Sequence, residues 1–187
     1  MLEESFRVKT EENVKKYCGF VGKFPQLVSC EVLDYLRGAD YFTAPSSFSI
    51  HGNWIGGNFD HSMKVTEILL EHTKNEGITW EREESPYIVG LFHDICKIDQ
   101  RGFSYKDGEM KIVSKCAVDR RHSEKSIELI ERNIIRMTIE EKLCIYYHMG
   151  EHAGDSEYRD LMAKVMEKYP NIKYTQMADT AAANMGI

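Results

Sequence analysis

Apolar positions along most of this chain recur at intervals of three and four rather than two, the spacing that lays an apolar stripe along an α-helix. Residues 2–20 and 26–37 read as polar-rich amphipathic helices. The next stretch, YFTAPSSFSIHGNWIGG, has no period, carries Pro45 and three glycines, and predicts a long irregular loop, a kind of segment that is often functional in compact domains. From Asn58 to Glu76 the residues Val65, Ile68 and Leu69 mark a helix, with Gly77 placed as its C-terminal cap. Ser85-Pro86 then predicts a helix through Lys97, with Ser85 as N-cap and Pro86 at the first helical position.

Beyond Lys97 the pattern changes once. Residues 103–106 and 110–113 flank Asp107-Gly108, a type I′ turn signal, and predict a small hairpin. Helical spacing then returns, with Asp119 able to cap a helix running to about Asn133. Thr138 and Glu141 form a capping box for another helix, closed by Gly150. Two last helices, about 156–168 and 172–185, are separated by Pro170. The expected fold is an all-α helical bundle with one small β-hairpin. With no repeat, low-complexity tract or linker, residues 1–187 should share a single core.

Composition narrows the function. At 42% hydrophobic and 29% charged, the chain is an ordinary globular domain; its most apolar run, YIVGLF, is far too short to span a bilayer, and no export signal precedes it. Five scattered cysteines without a CxxC pair argue against a disulfide framework or zinc knuckle and favour reduced thiols in a cytoplasmic protein. A net charge of -6 makes nucleic acid an unlikely partner. Between Lys97 and Lys125, however, eight basic residues face five acidic ones. That stretch reads either as a solvated hairpin or as a surface for an anionic small molecule.

The candidate chemistry lies in histidine and aspartate, ligand types suited to Mn, Fe, Co, Ni or Zn. His61 shares the inward helical face of Val65, Ile68 and Leu69, where a lone histidine is more often a hydrogen-bonded core residue. His93-Asp94 changes that balance, because the dyad ends an apolar helix and an unpaired buried carboxylate is costly. Asp179, among the alanines of QMADTAAANM, poses the same problem, which a bound cation would solve. His122 and His148 sit near facing ends of consecutive helices, and each also has a plain reading, as a surface residue and as a helix C-terminal cation. His72, in the last turn of its helix, suits packing or a dipole role better than ligation, whereas His51 and His152 read as loop residues or substrate contacts.

The order His61, His93-Asp94, Asp179, with FDHSMKV and GLFHDICKID around them, resembles the HD superfamily of metal-dependent phosphohydrolases over about residues 45 to 183. HGNWIGGNFDHS further resembles the approach to the first histidine in the HD domain of some bacterial 3′-to-5′ exoribonucleases. With His122 and His148 the order matches the two-metal HD phosphodiesterases; the absence of a GYP triplet argues against a cyclic di-nucleotide substrate. The resemblance implies one or two divalent transition metals, with Asp94 bridging, His61, His93 and Asp179 on one side and His122 and His148 on the other. Lys97, three and four residues beyond Asp94 and His93, projects from the helical face of the dyad and matches the family's HDxxK element as a phosphate-stabilising cation, its plain reading being a surface lysine at a helix C-terminus; Asp99, just past it, is a weaker candidate for orienting water or a leaving group.

Arg120 and Arg121 suit phosphate, Trp54 offers a stacking face, His51 can reach the pocket mouth, and the GNWIGG loop has backbone N–H groups to offer a phosphate. The expected substrate is therefore a small phosphorylated molecule, a nucleotide on the strength of family likeness, with a homo-oligomer left open as the assembly. Two rivals stand beside this reading: a non-catalytic metal and nucleotide sensor, and an RNA-processing phosphodiesterase. Turnover of a substrate panel with Mn, Fe or Co discriminates among them.

Overall fold

The computed structural model describes residues 2–48, 52–106, 108–115 and 121–187, apart from the side chains of residues 2 and 152. Helix α1 (Leu2–Val21) leads through a 3-10 turn (Pro25–Leu27) into α2 (Cys30–Gly38). The helix expected over 26–37 is thus two pieces. Ser29 takes extended backbone and its hydroxyl accepts from the Val32 N–H, which starts the helix anew. Helix α3 (Gly57–Asn75) packs against both α4 (Ser85–Phe92) and α9 (Asn171–Asn184). Gly77, at φ 65°, follows α3 as the sequence predicts, and the Ile78 N–H reaches back to the Thr73 carbonyl at 3.0 Å.

Helix α4 departs from expectation at both ends. Its N-cap is Glu84, Ser85 is already helical, and the Ser85 hydroxyl donates to Glu141 at 2.8 Å instead of capping. The helix stops at Phe92 rather than Lys97, and the chain tightens to three-residue bonding (Ile95 N to Phe92 O, Lys97 N to Asp94 O, both 3.1 Å) before the short α5 (Lys97–Gln100). Side chains three apart eclipse in such a turn, which brings Lys97 over Asp94. The hairpin is as expected but longer, β1 (Arg101–Lys106) pairing antiparallel with β2 (Glu109–Ser114) from Arg101↔Ser114 to Lys106↔Glu109. Asp107 and the proposed Asp119 cap lie outside the described residues.

Helix α6 (His122–Asn133) precedes α7 (Ile139–Tyr146), which starts with the predicted capping box of Thr138 and Glu141. Helix α7 ends at Tyr146, before Gly150, whose φ of 66° instead opens a 3-10 turn (Gly150–Ala153). Then come α8 (Ser156–Lys168), capped by the Asp155 side chain, and α9. The mainly helical architecture with its single described hairpin is the one read from the sequence. No described helix is long and apolar enough to cross a membrane.

The core is aromatic where α1, the 41–57 loop, α3 and α4 meet. Tyr17, Tyr41, Phe42, Phe59 and Phe92 are buried in edge-on or tilted contact, with Tyr41 to Phe59 at 5.8 Å and Phe42 to Phe59 at 5.4 Å. The Tyr17 and Tyr41 hydroxyls, which could not be buried unpaired, donate to the Leu27 and Leu91 carbonyls. A second anchor is the buried Glu141 carboxylate, which accepts the Arg82 fork at 2.8 and 2.7 Å and thereby ties α7 to the segment before α4.

Gly90 sets the distance between α3 and α4. A Cβ there would lie 2.4 Å from Thr66 Oγ1 and 2.7 Å from Thr66 Cα, a clash with backbone that no rotamer change relieves. Gly90→Ala should therefore lower stability by about 1–3 kcal/mol, the usual range for overpacking, despite the better helix propensity of alanine. Urea denaturation measures this, and an unchanged or raised midpoint would show that the helix pair is not held at contact distance by this residue.

Candidate metal centre

Five segments deliver the imidazoles and carboxylates picked out in the sequence. His61 comes from α3, His93 and Asp94 from the turn after α4, His122 from the first position of α6, His148 from just past α7, and Asp179 from α9. They converge. In three overlapping groups (His61, His93, Asp94; His93, His148, Asp179; Asp94, His122, His148) one donor atom of each residue lies within 4.8 Å of the others. Asp94 is common to two of them and divides its oxygens between them. Its Oδ2 lies 3.5 Å from His93 Nε2 and contacts the Lys97 ammonium, whereas its Oδ1 lies 3.4 Å from His122 Nδ1 and 3.6 Å from His148 Nε2.

Backbone carbonyls orient two of the rings. His93 Nδ1 is 2.9 Å from Gly90 O and His148 Nδ1 is 2.6 Å from Ile145 O, each three residues back along its own chain segment. A carbonyl only accepts, so Nδ1 carries the proton and Nε2 presents a lone pair inward. Both Nε2 atoms, together with His122 Nε2 and Asp94 Oδ1, are buried without a hydrogen-bond partner. Unpaired buried acceptors around one space fit a divalent cation, which would accept their lone pairs. His61 turns Nε2 to Asp179 Oδ1 at 3.0 Å and Nδ1 to the main-chain oxygen of Ile187 at 2.9 Å.

Charge is concentrated here. Burial opposes ionisation of Asp94, but Lys97 and the neighbouring histidines hold its carboxyl well below the usual range. Asp179 likewise is kept low, against burial, by hydrogen bonding with His61 and by His93. Burial lowers His122 to about 4, only partly offset by Asp94, which leaves its ring neutral at pH 7. The Cys96 thiol, 3.6 Å from His122 Nδ1, is pushed up to about 12 by burial and by Asp94, so it is no ready thiolate.

Other predicted positions fall at varying distances from this cluster. Lys97 belongs to it, held between Asp94 and the buried Ser46 hydroxyl at 3.1 Å. Asp99 does not. Two residues from Lys97 on α5 it projects away from that face, is exposed, and lies 3.7 Å from Lys125. Trp54 donates its indole N–H to Asp60 at 2.9 Å, on the flank of α3 where Lys9 of α1 also meets Asp60. The expectation that the GNWIGG loop offers its N–H groups to a phosphate is overturned for Gly56 and Gly57, which bond to Thr43 O and Trp54 O at 2.8 and 2.9 Å. The loop spends those donors on its own fold.

His72 packs against Tyr174 at 5.7 Å, away from the ligand set. Arg121 precedes α6 and is exposed, while His51, Arg120 and the His152 side chain lie outside the described residues.

Sequence reading passed over three contributors. Asn58 donates to the Asp94 carbonyl at 3.4 Å, Ser46 receives Lys97, and Phe48 covers the Arg101 guanidinium at 5.2 Å. Asn58, three residues before His61 in the Gly-Gly-x-x-x-His stretch, is a polar residue at helical spacing from that histidine; nothing local marks the other two.

The family model for the HD domain matches residues 58–184, which is more than half of the chain. No curated protein and no solved structure gives a significant match. The matched region spans α3 to α9, the segments that carry all six converging side chains. The chain therefore belongs to the HD domain family of metal-dependent phosphohydrolases.

Proposed function

We propose that this chain hydrolyses a phosphate ester or anhydride of a nucleotide, with one metal held by His61, His93, Asp94 and Asp179 and a second by Asp94, His122 and His148. The carrying observation is the set of buried, unpartnered acceptors, His93 Nε2, His148 Nε2 and Asp94 Oδ1, grouped around one space with their tautomers fixed from behind. The two-metal form is supported by the way Asp94 turns one oxygen to each group.

Divalent metals bound there supply an acidified water and charge to neutralise phosphoryl oxygens. The chain's own part is positioning. Gly90 O and Ile145 O keep two imidazole lone pairs aimed inward, and Asn58 steadies the backbone of Asp94. Lys97, oriented by Ser46, places an ammonium beside the Asp94 carboxylate, where it would donate to a non-bridging phosphoryl oxygen. The nucleotide part of the reading rests on Lys97, on the basic excess from 97 to 125 and on the half-exposed Trp54 as a stacking face.

Asp94→Ala should empty both positions and abolish hydrolysis of phosphoesters; elemental analysis showing normal metal, with normal turnover, would overturn the assignment. The double variant His122→Ala with His148→Ala should lower the metal-to-protein ratio while His61, His93 and Asp179 keep one ion. An unchanged ratio would leave a single-metal centre. Lys97→Ala should keep its metal yet lose turnover by about a hundredfold, the equivalent of roughly 3 kcal/mol of transition-state stabilisation. Trp54→Ala should weaken nucleotides more than base-free phosphates, and equal hydrolysis of both by the wild type would remove the nucleotide from this reading.

A further inference from the structure

Arg101 closes α5 and opens β1, its backbone N–H bonded to the Lys97 carbonyl. The side chain is half-buried, and Nη1 is sealed from solvent with no hydrogen-bond partner. A buried guanidinium donor left unpaired is costly, and burial works against the charge while Asp94, acting at longer range, only partly offsets it. The Phe48 ring lies 5.2 Å from the guanidinium carbon. Such a contact covers one face of the planar group without using its in-plane N–H donors.

The placement of this pair is tied to that of Lys97. In the 41–57 loop Ser46 touches Lys97 and, two residues on, Phe48 touches Arg101. Residues 46–48 therefore run alongside residues 97–101, where Lys97 contacts Asp94 and Arg101 follows four residues on. Four residues at a rise of 1.5 Å put Arg101 about 6 Å beyond Lys97, further than the oxygens of one phosphoryl group reach. Lys97 is already engaged by Asp94 and Ser46, whereas Arg101 carries the forked donor geometry that matches phosphate.

We propose that Arg101, faced by Phe48, binds a second phosphate group of the substrate, so that the enzyme favours ligands with two phosphates over simple monophosphates. This rests on the phosphohydrolase reading for the position of the scissile group beside Asp94. It adds a specificity-determining residue and narrows the substrate class.

Calorimetric titration of the metal-reconstituted full chain tests it without turnover. The probes are methylphosphonate and diphosphonates bridged by one, two or three methylenes, none of them hydrolysable. The wild type should bind the best-spaced diphosphonate at least about tenfold tighter than methylphosphonate, and Arg101→Gln should remove that gap while methylphosphonate affinity and metal content stay unchanged. Arg101→Lys should restore part of the gap, since it returns the charge without the fork. A gap that survives in Arg101→Gln, or no gap in the wild type, overturns the proposal. If Arg101→Gln fails to fold, Phe48→Leu decides: it should narrow the gap by freeing the guanidinium plane, and an unaltered gap counts against the pair. Turnover separates the two readings. A chain that cleaves phosphoesters but shows no gap refutes only this inference, whereas one with the gap and no cleavage of any phosphoester refutes the hydrolase and keeps the two-phosphate ligand.

Discussion

A carboxylate buried among imidazoles is the constraint around which the site is arranged. Asp94 is almost wholly enclosed, so its negative charge must be met from within the protein, and Lys97 alone reaches only one of its oxygens. The other oxygen lies 3.4 Å from the neutral His122 ring and 3.6 Å from His148, whose pKa it raises, and has no hydrogen-bond partner. The chain forms this turn because Asn58 and the tightened bonding after α4 hold it, and because Gly90 lets α3 and α4 approach to contact. Their combined effect is a region of negative potential ringed by lone pairs, which is a cation's environment.

What supports that arrangement is a rigid frame of saturated polar groups. Glu141 is as deeply buried as Asp94, yet every side of it is answered, by Arg82, Ser85 and the Thr138 N–H. The contrast between the two carboxylates separates structure from function in physical terms. A buried charge with its full complement of donors holds helices together, and one left short of donors stands ready for a ligand.

Much of this was legible in the sequence because it depends on local spacing. His61 was placed inward by its alignment with Val65, Ile68 and Leu69, and it is buried; Thr138 and Glu141 announced a cap that forms. The dyad and Asp179 stood out as charges in apolar runs. The early end of α4 was not legible, since an apolar run looks alike in α and 3-10 geometry and the Asp94 carbonyl there is also met by Asn58, thirty-six residues away. Nor were Ser46 and Phe48, whose partners lie about fifty residues on and are met only when the loop folds against α5. Gly56 and Gly57 misled because their N–H groups serve the loop's own closure.

The loop that meets Lys97 and Arg101 lies before residue 58, outside the region matched to the HD domain, and α1 braces it through Asn13, whose amide donates to the Phe42 carbonyl. On the reading proposed above, the metal-holding residues and both cations come from the matched region, while the loop that touches those cations comes from the stretch before it. Changes in that leading stretch would then alter how Lys97 and Arg101 are presented while leaving the cage of imidazoles and carboxylates behind them untouched.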